Sequence, residues 1–197
     1  MIELLAITDD PAPTEPPLRI VRAGGLGVIV APANEDEVDA DALWRREALL
    51  EELMEQRALL PVRYGTLVQD EAAAAAAVAG RGDALAGALR RVRGAVELSV
   101  RAVAPGQPGE GRPGEHLQAR AAHERTAGAL HGRLAAAARE HVRHDGRELL
   151  RAAYLVDRDE VGRFVALVRG LQAEHGELSI HCTGPWPPYS FAEPEGA

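Results

Sequence analysis

A stiff, aromatic segment near the end of the chain limits the folds that are open to it. Residues 182–191 have the sequence Cys-Thr-Gly-Pro-Trp-Pro-Pro-Tyr-Ser-Phe and follow an alternating run at 178–182. Proline fixes φ and has no backbone donor, so this segment cannot continue as an ordinary central strand. Two interpretations stay open. The aromatic side chains either fill a groove within the protein or are presented to a partner, which a stiffened surface binds at low entropic cost.

The composition excludes several classes of protein. All 22 basic residues are arginines, which rules out a Schiff-base lysine and a P-loop lysine. The formal net charge is −8 and no cationic surface stands out, so we expect no nucleic-acid partner. No apolar run reaches the roughly 18–20 residues of a membrane span, and the single cysteine excludes an internal disulfide. We therefore expect a cytoplasmic protein without a membrane contact.

The first half of the chain predicts a mixed α+β arrangement. A strand is expected at residues 2–7, followed by a hairpin whose strands, 18–22 and 26–30, flank Gly24-Gly25. Asp39 or Asp41 can cap a helix that runs to about Leu60, where Pro61 ends it. A short strand or turn at 62–68 and an alanine-rich helix at 71–93 follow.

The second half alternates strands and helices. Strands are expected at 96–102 and 152–156, a long helix at about 115–144, and a helix after the capping pair Asp157 and Glu160. The last strand leads into the proline segment. This order suits a ferredoxin-like module that is missing or hiding one strand. We therefore expect an α+β fold with two small domains, 1–94 and 95–197, the second ferredoxin-like with a Pro/Gly-rich loop at 104–114.

Histidines concentrate in one predicted helix and raise the question of a metal site. Their positions are His116, His123, His131, His141 and His144. A zinc site needs two ligands at suitable spacing together with a third one. The pair at 141 and 144 lies at a predicted helix C-terminus, where a cationic histidine interacts favourably with the helix dipole. We therefore predict no metal and no cofactor.

The adjacent His181 and Cys182 suggest a base and a nucleophile, but neighbours on a strand point to opposite faces. Cys182 shares its face with Leu178 and Ile180 and is expected in the core, where a thiol behaves as a small hydrophobe. The chain also has no Gly-x-Ser-x-Gly elbow. We predict that the protein is not an enzyme.

Two segments remain as candidate sites, with either a structural or a partner-binding role. In residues 59–66, an arginine and a tyrosine stand between apolar residues beside a glycine, and Arg63 either pairs internally at a helix-to-strand corner or acts at the surface. The second segment is the proline-rich one. The candidate residues are Arg63, Tyr64, Gly65, Thr66, Gly184, Pro185, Trp186, Pro187, Pro188 and Tyr189.

Three segments in order, 60–66, 94–100 and 182–191, resemble the gas vesicle protein F/L family (GvpF/GvpL) over nearly the whole chain. Tyr64 stands where the family usually has phenylalanine, and the N-terminal region and the Pro/Gly loop are short, which leaves F-type and L-type both open. The resemblance implies two α+β domains, no enzymatic activity and no cofactor. It implies an accessory or minor structural protein of the gas vesicle that contacts the small hydrophobic shell protein and other accessory proteins.

An alternative from another class is a ferredoxin-like domain that binds or converts a small molecule with Arg63 and the histidines. It would be favoured by a stoichiometric bound ion. The gas vesicle interpretation would be favoured by a neighbouring gas vesicle gene cluster. Within that interpretation, an assembly chaperone and a structural shell component both remain open.

Overall fold

The computed structural model describes residues 1–10, 12, 14, 16–33, 40–104 and 113–193, and of residues 113–120 it describes the helical backbone alone. The chain divides into two compact units. The first comprises Met1–Gly94 together with the chain from Trp186 onward, and the second comprises Ala95–Pro185. The sequence places everything after residue 94 in the second domain, whereas the residues from Trp186 onward group with the first unit.

The described part of the first unit contains five strands and three α-helices. Their bounds are β1 Ile2–Thr8, β2 Arg19–Ala23, β3 Leu26–Pro32, α1 Ala40–Gln56, β4 Leu59–Pro61, β5 Leu67–Val68, α2 Glu71–Val78 and α3 Gly82–Val92. A 3-10 helix, Tyr189–Phe191, follows much later in the chain. The mixed α+β class predicted from the sequence is confirmed.

The predicted hairpin joins β2 to β3 through a two-residue turn. Ala23 pairs with Leu26, and Gly24 and Gly25 between them have φ values of 58° and 84°. A turn with positive φ at both central positions matches the right-handed twist of the flanking strands, and glycine adopts it without steric cost. These glycines therefore form the turn of the predicted hairpin.

The sheet of the first unit has the order β2-β3-β1-β4, and β5 also pairs with β1. β4 and β5 run antiparallel to β1 at either end of one edge. Between them, the Val62 N–H donates to the Leu5 carbonyl and the Leu4 N–H donates to the Thr66 carbonyl, both at 2.9 Å. Residues 63–65 therefore bulge out of an otherwise paired edge, as bulges do where a protein redirects side chains.

Helix α1 ends earlier than the sequence predicts. It stops at Gln56 instead of continuing to about Leu60. Leu59 and Leu60 are each 1% exposed and form β4, which pairs with β1. A short apolar run fits a helix and a buried strand equally well by periodicity, and here the sheet pairing decides between them.

The second unit contains four strands and two α-helices within the described residues. Their bounds are β6 Ala95–Val103, α4 Pro113–Ala135, β7 Glu140–Arg143, β8 Leu150–Asp157, α5 Val161–Glu174 and β9 Ser179–Trp186. The strand order in the sheet is β7-β8-β6-β9. The element order β-α-β-β-α-β is the one that a ferredoxin-like module has. The assignment of this unit to that class stays a prediction.

The strand that is missing from the sequence prediction of the second unit is β7. The predicted helix at 115–144 is wrong at its end, because α4 stops at Ala135 and β7 begins at Glu140. β7 pairs antiparallel with β8, with His141 opposite Tyr154. A four-residue polar strand has no periodicity of its own, so only its partner strand reveals it. Most of the predicted loop at 104–114 lies outside the described residues, and Pro113 begins α4.

The core of the second unit lies between its helices and one face of its sheet. Tyr154 and Phe164 are its largest members, at 0% and 1% exposed, with ring centroids 5.3 Å apart. Leucines from α4 and α5, Leu130 and Leu171 among them, pack into the same cluster. Cys182 is half-buried against this core and His181 is exposed, as the strand alternation predicts.

Candidate functional site

The bulge that carries Arg63, Tyr64, Gly65 and Thr66 is a closed turn. Thr66 donates from both its backbone N–H, at 3.2 Å, and its hydroxyl, at 2.7 Å, to the Arg63 carbonyl. Gly65 has a φ of 75° and donates its N–H to Glu3 Oε1 at 3.1 Å. A side chain at Gly65 would be strained by this left-handed backbone. Gly65 and Thr66 therefore shape the turn, and Arg63 and Tyr64 are displayed by it.

Arg46 of α1 fixes this turn to the sheet. It is 5% exposed, forms an ion pair with Glu3, and donates to the Leu5 carbonyl at 3.3 Å and the Val62 carbonyl at 2.5 Å. Its guanidinium carbon also lies 5.4 Å from the centroid of the Tyr64 ring, within cation–π range. One buried cation thus joins α1, strand β1 and the turn.

Sequence reasoning missed Arg46 and considered Arg63 for internal pairing. Arg63 is exposed, and within the described residues its guanidinium has no hydrogen-bond or ion-pair partner. The signal for Arg46 was its spacing. It precedes the buried Leu50 and Leu53 by four and seven residues, so it belongs to the apolar face of α1.

The proline segment divides into an exposed and a buried part. Thr183, Gly184 and Pro185 are exposed, whereas Pro187 and Pro188 are buried and Trp186 is half-buried. The 3-10 helix follows, and Phe191 within it is 3% exposed. This helix packs against β4, the last strand in the order of the sheet. The aromatic residues after Pro188 are therefore anchored in the first unit.

Hydrogen bonds with two side chains, Glu47 and Arg91, hold this segment in place. The Tyr189 hydroxyl donates to Glu47 Oε1 of α1 at 2.8 Å. The Arg91 guanidinium donates to the Phe191 carbonyl at 3.3 Å and to the Glu193 carbonyl at 3.1 Å. Burial, and then the carboxylate of Glu47, raise the pKa of Tyr189 well above its usual value, which keeps the phenol protonated as a donor.

The two candidate segments meet in one cavity of about 350 Å³, which we call the tyrosine groove. It brings together Arg63 and Tyr64 of the bulge and Tyr189 of the proline segment. The other candidate residues do not line it. The lining residues are Leu43, Glu47, Pro61, Arg63, Tyr64, Tyr189, Ala192 and Glu193. The groove thus has tyrosines, an exposed arginine and two carboxylates.

His131 and His141 of the second unit are in contact with each other. The His131 and His141 rings meet edge-on with centroids 4.6 Å apart, and His131 Nδ1 is 2.9 Å from the Tyr154 hydroxyl. In the part of the chain that the structure describes, no three His, Cys, Asp or Glu side chains are grouped to hold a metal ion. The small-molecule alternative, which would use Arg63 and the histidines, stays a prediction.

His131 makes the stability of the second unit depend on pH. Burial, then the nearby His141 and Arg143, lower the pKa of His131 from its usual 6.5. The unfolded chain then binds a proton at His131 more readily than the folded chain does. The contribution of His131 to stability is therefore fully present above pH 6.5 and is lost as the pH falls toward the folded pKa. We expect the thermal midpoint to fall more steeply between pH 7.5 and 5 in the wild type than in His131→Gln. Equal slopes would contradict a contribution from His131.

Known proteins resemble this chain in sequence and in fold. The family model described as gas vesicle synthesis protein GvpL/GvpF matches residues 7–112 and 110–193. Gas vesicle protein F1 of Halobacterium salinarum is 28% identical over 163 residues, which are 81% of this chain and 70% of that protein. Gas vesicle protein L of a Streptomyces species is 29% identical over 225 residues, covering 90% of this chain and 84% of the relative.

Among solved structures, gas vesicle protein GvpF of Microcystis aeruginosa superposes with a TM-score of 0.80 over 98% of both chains, at 17% identity. This likeness concerns the fold alone. Helices of the described residues lack the combination of length and apolar character that a membrane crossing requires.

Proposed function

Because the chain belongs to the gas vesicle synthesis protein GvpL/GvpF family, which gives it a role in gas vesicle formation, we propose that it acts there by binding the small hydrophobic shell protein. It does so as an accessory or minor structural component, together with other accessory proteins. We assign it no catalytic step and no cofactor.

The observation that carries this proposal is the tyrosine groove. Two segments far apart in sequence contribute Tyr64 and Tyr189 to one concave surface. Tyrosine offers a large apolar area with a polar tip and loses little side-chain entropy on binding, which is why interfaces favour it. The anchored 3-10 helix and the closed bulge hold both rings in place before a partner arrives, and preorganisation of this kind favours binding.

The chemistry of the shell protein suits such a partner. A small, apolar, β-rich subunit aggregates when its edges stay exposed before assembly. A partner of net charge −8 keeps such a complex in solution. The groove would cover an apolar segment of the subunit until the subunit joins the growing shell.

The test uses Arg63, because its exposed side chain can be changed without disturbing the fold. We expect Arg63→Glu to lower the amount of shell protein that co-purifies by about fivefold or more, since rim charges steer and orient partners. Arg22→Glu is the matched control, because Arg22 is also exposed in the first unit and the charge change is the same. Equal co-purification with both variants would remove the groove from the interface.

A second experiment separates the two roles within the gas vesicle. Intact vesicles are washed and probed for this protein with an antibody. Retention at a fixed ratio to the shell protein supports a structural component, and loss on washing supports an assembly chaperone.

A further inference from the structure

One side of helix α1 carries an exposed tryptophan. Trp44 is 63% exposed, although tryptophan is normally buried. Together with Glu51 and Glu55, which lie along the same side of the helix, it forms what we call the outer face of α1. Buried Arg46, Leu50 and Leu53 lie on the opposite side.

The same face becomes acidic toward the end of the helix. Glu51 and Glu55 follow Trp44 by seven and eleven residues, which places them within about 20° of it around the axis, about 10 and 16 Å further along. Neither carboxylate has an ion-pair partner among the described residues. The last turn of α1 also contains no basic residue, so the negative end of the helix dipole adds to this charge.

The acidic row is under electrostatic strain. Glu47 and Glu51 are four residues apart, and like charges at this spacing destabilise a helix. Burial, and then the charge of Glu47, raise the pKa of Glu51. A cation placed over this row would relieve the repulsion, whereas an anionic partner would increase it.

We propose that the outer face of α1 docks an amphipathic helix of a partner protein that carries one bulky apolar anchor and a row of arginines or lysines. The anchor packs on Trp44, and the cations, about 10 to 16 Å further along the axis, meet Glu51 and Glu55. An apolar anchor beside charges of opposite sign is the pattern by which helices dock on surfaces. The proposal goes beyond the proposed function, because the tyrosine groove does not require it.

The test measures binding of labelled 18-residue helical peptides to the full chain by fluorescence anisotropy. The first peptide has a leucine face and arginines seven and eleven residues after a leucine in its first turn. The second has glutamates in place of the arginines, and the third has serines in place of the leucines. We expect the first peptide to bind at least tenfold more tightly than either of the others.

Variants then locate the site. We expect Trp44→Ala to weaken binding of the first peptide about tenfold, as the loss of an aromatic anchor does. Glu51→Gln/Glu55→Gln should weaken it several-fold and flatten its dependence on salt. Leu67→Ala and Asp83→Asn are matched controls, because Leu67 is 43% exposed elsewhere in the unit and Asp83 is exposed on α3. All four changes are at partly or fully exposed positions, so thermal midpoints should stay within about 2 °C.

Three outcomes would overturn the proposal. The first is equal binding of the arginine and glutamate peptides, and the second is unchanged binding by Trp44→Ala. The third is self-association of the wild type that Trp44→Ala abolishes in analytical ultracentrifugation, because it would assign this face to a second copy of the chain.

Discussion

Replacing Arg46 with alanine should lower the free energy of unfolding of the first unit by about 3–5 kcal/mol. The guanidinium is 5% exposed, pairs with Glu3 and donates to backbone carbonyls of β1 and of the bulge. Its removal leaves the partly buried Glu3 carboxylate without its cation and takes a donor from the Leu5 and Val62 carbonyls, of which Leu5 keeps the Val62 N–H. Urea unfolding followed by circular dichroism measures the change.

Arg63→Ala is the control for this prediction. Both positions are arginines and lie close together around the bulge, but Arg63 is exposed. Its replacement should change the free energy of unfolding by no more than about 0.5 kcal/mol. A loss of less than 1 kcal/mol for Arg46→Ala would contradict the role of the buried cation.

Phe191→Ala should have the second large effect, again about 3–5 kcal/mol, because it deletes a buried aromatic ring and leaves a cavity. Phe191 is 3% exposed and is the main apolar anchor of the 3-10 helix. The variant should also release the segment from Trp186 onward. We expect faster amide hydrogen exchange at residues 189–192 and at the neighbouring β4, measured by mass spectrometry.

Tyr189→Phe separates the effect of burying the aromatic ring from that of the hydrogen bond to Glu47. It keeps the ring and removes only the hydrogen bond to Glu47, so the expected loss is about 1 kcal/mol. Hydrogen exchange at β4 should then stay close to that of the wild type. A Phe191→Ala protein with wild-type exchange in this region would show that the segment is held by its polar contacts alone.

The sequence predicts those elements whose pattern is strong. The hairpin around Gly24 and Gly25 and the strand at 96–102 are confirmed, because turn glycines and strict alternation have few other solutions. Two of the errors concern short segments. Leu59-Leu60 and Glu140–Arg143 become strands because another strand pairs with them. The partner strand is distant in the sequence, so a short stretch of sequence does not reveal the pairing.

The candidate site shows the same division. Arg63, Tyr64 and Tyr189 were identified as unusual residues, and the structure places all three at the tyrosine groove. Their meeting was not predictable, because it depends on a contact between Glu47 and Tyr189, which are 142 positions apart. Arg46 was not predicted, because the identity of a residue does not show whether an arginine is buried or exposed. Only its periodicity with Leu50 separates the two.

The grouping of the chain from Trp186 onward with the first unit has a consequence for the order of folding during synthesis. The ribosome releases Met1–Gly94 first and Ala95–Pro185 next. Tyr189 and Phe191 emerge only after both, so the second unit has all its strands before the first unit is complete. A nascent or prematurely terminated chain that lacks residues 189–193 therefore lacks one wall of the tyrosine groove. The groove can form only after these residues have been synthesised.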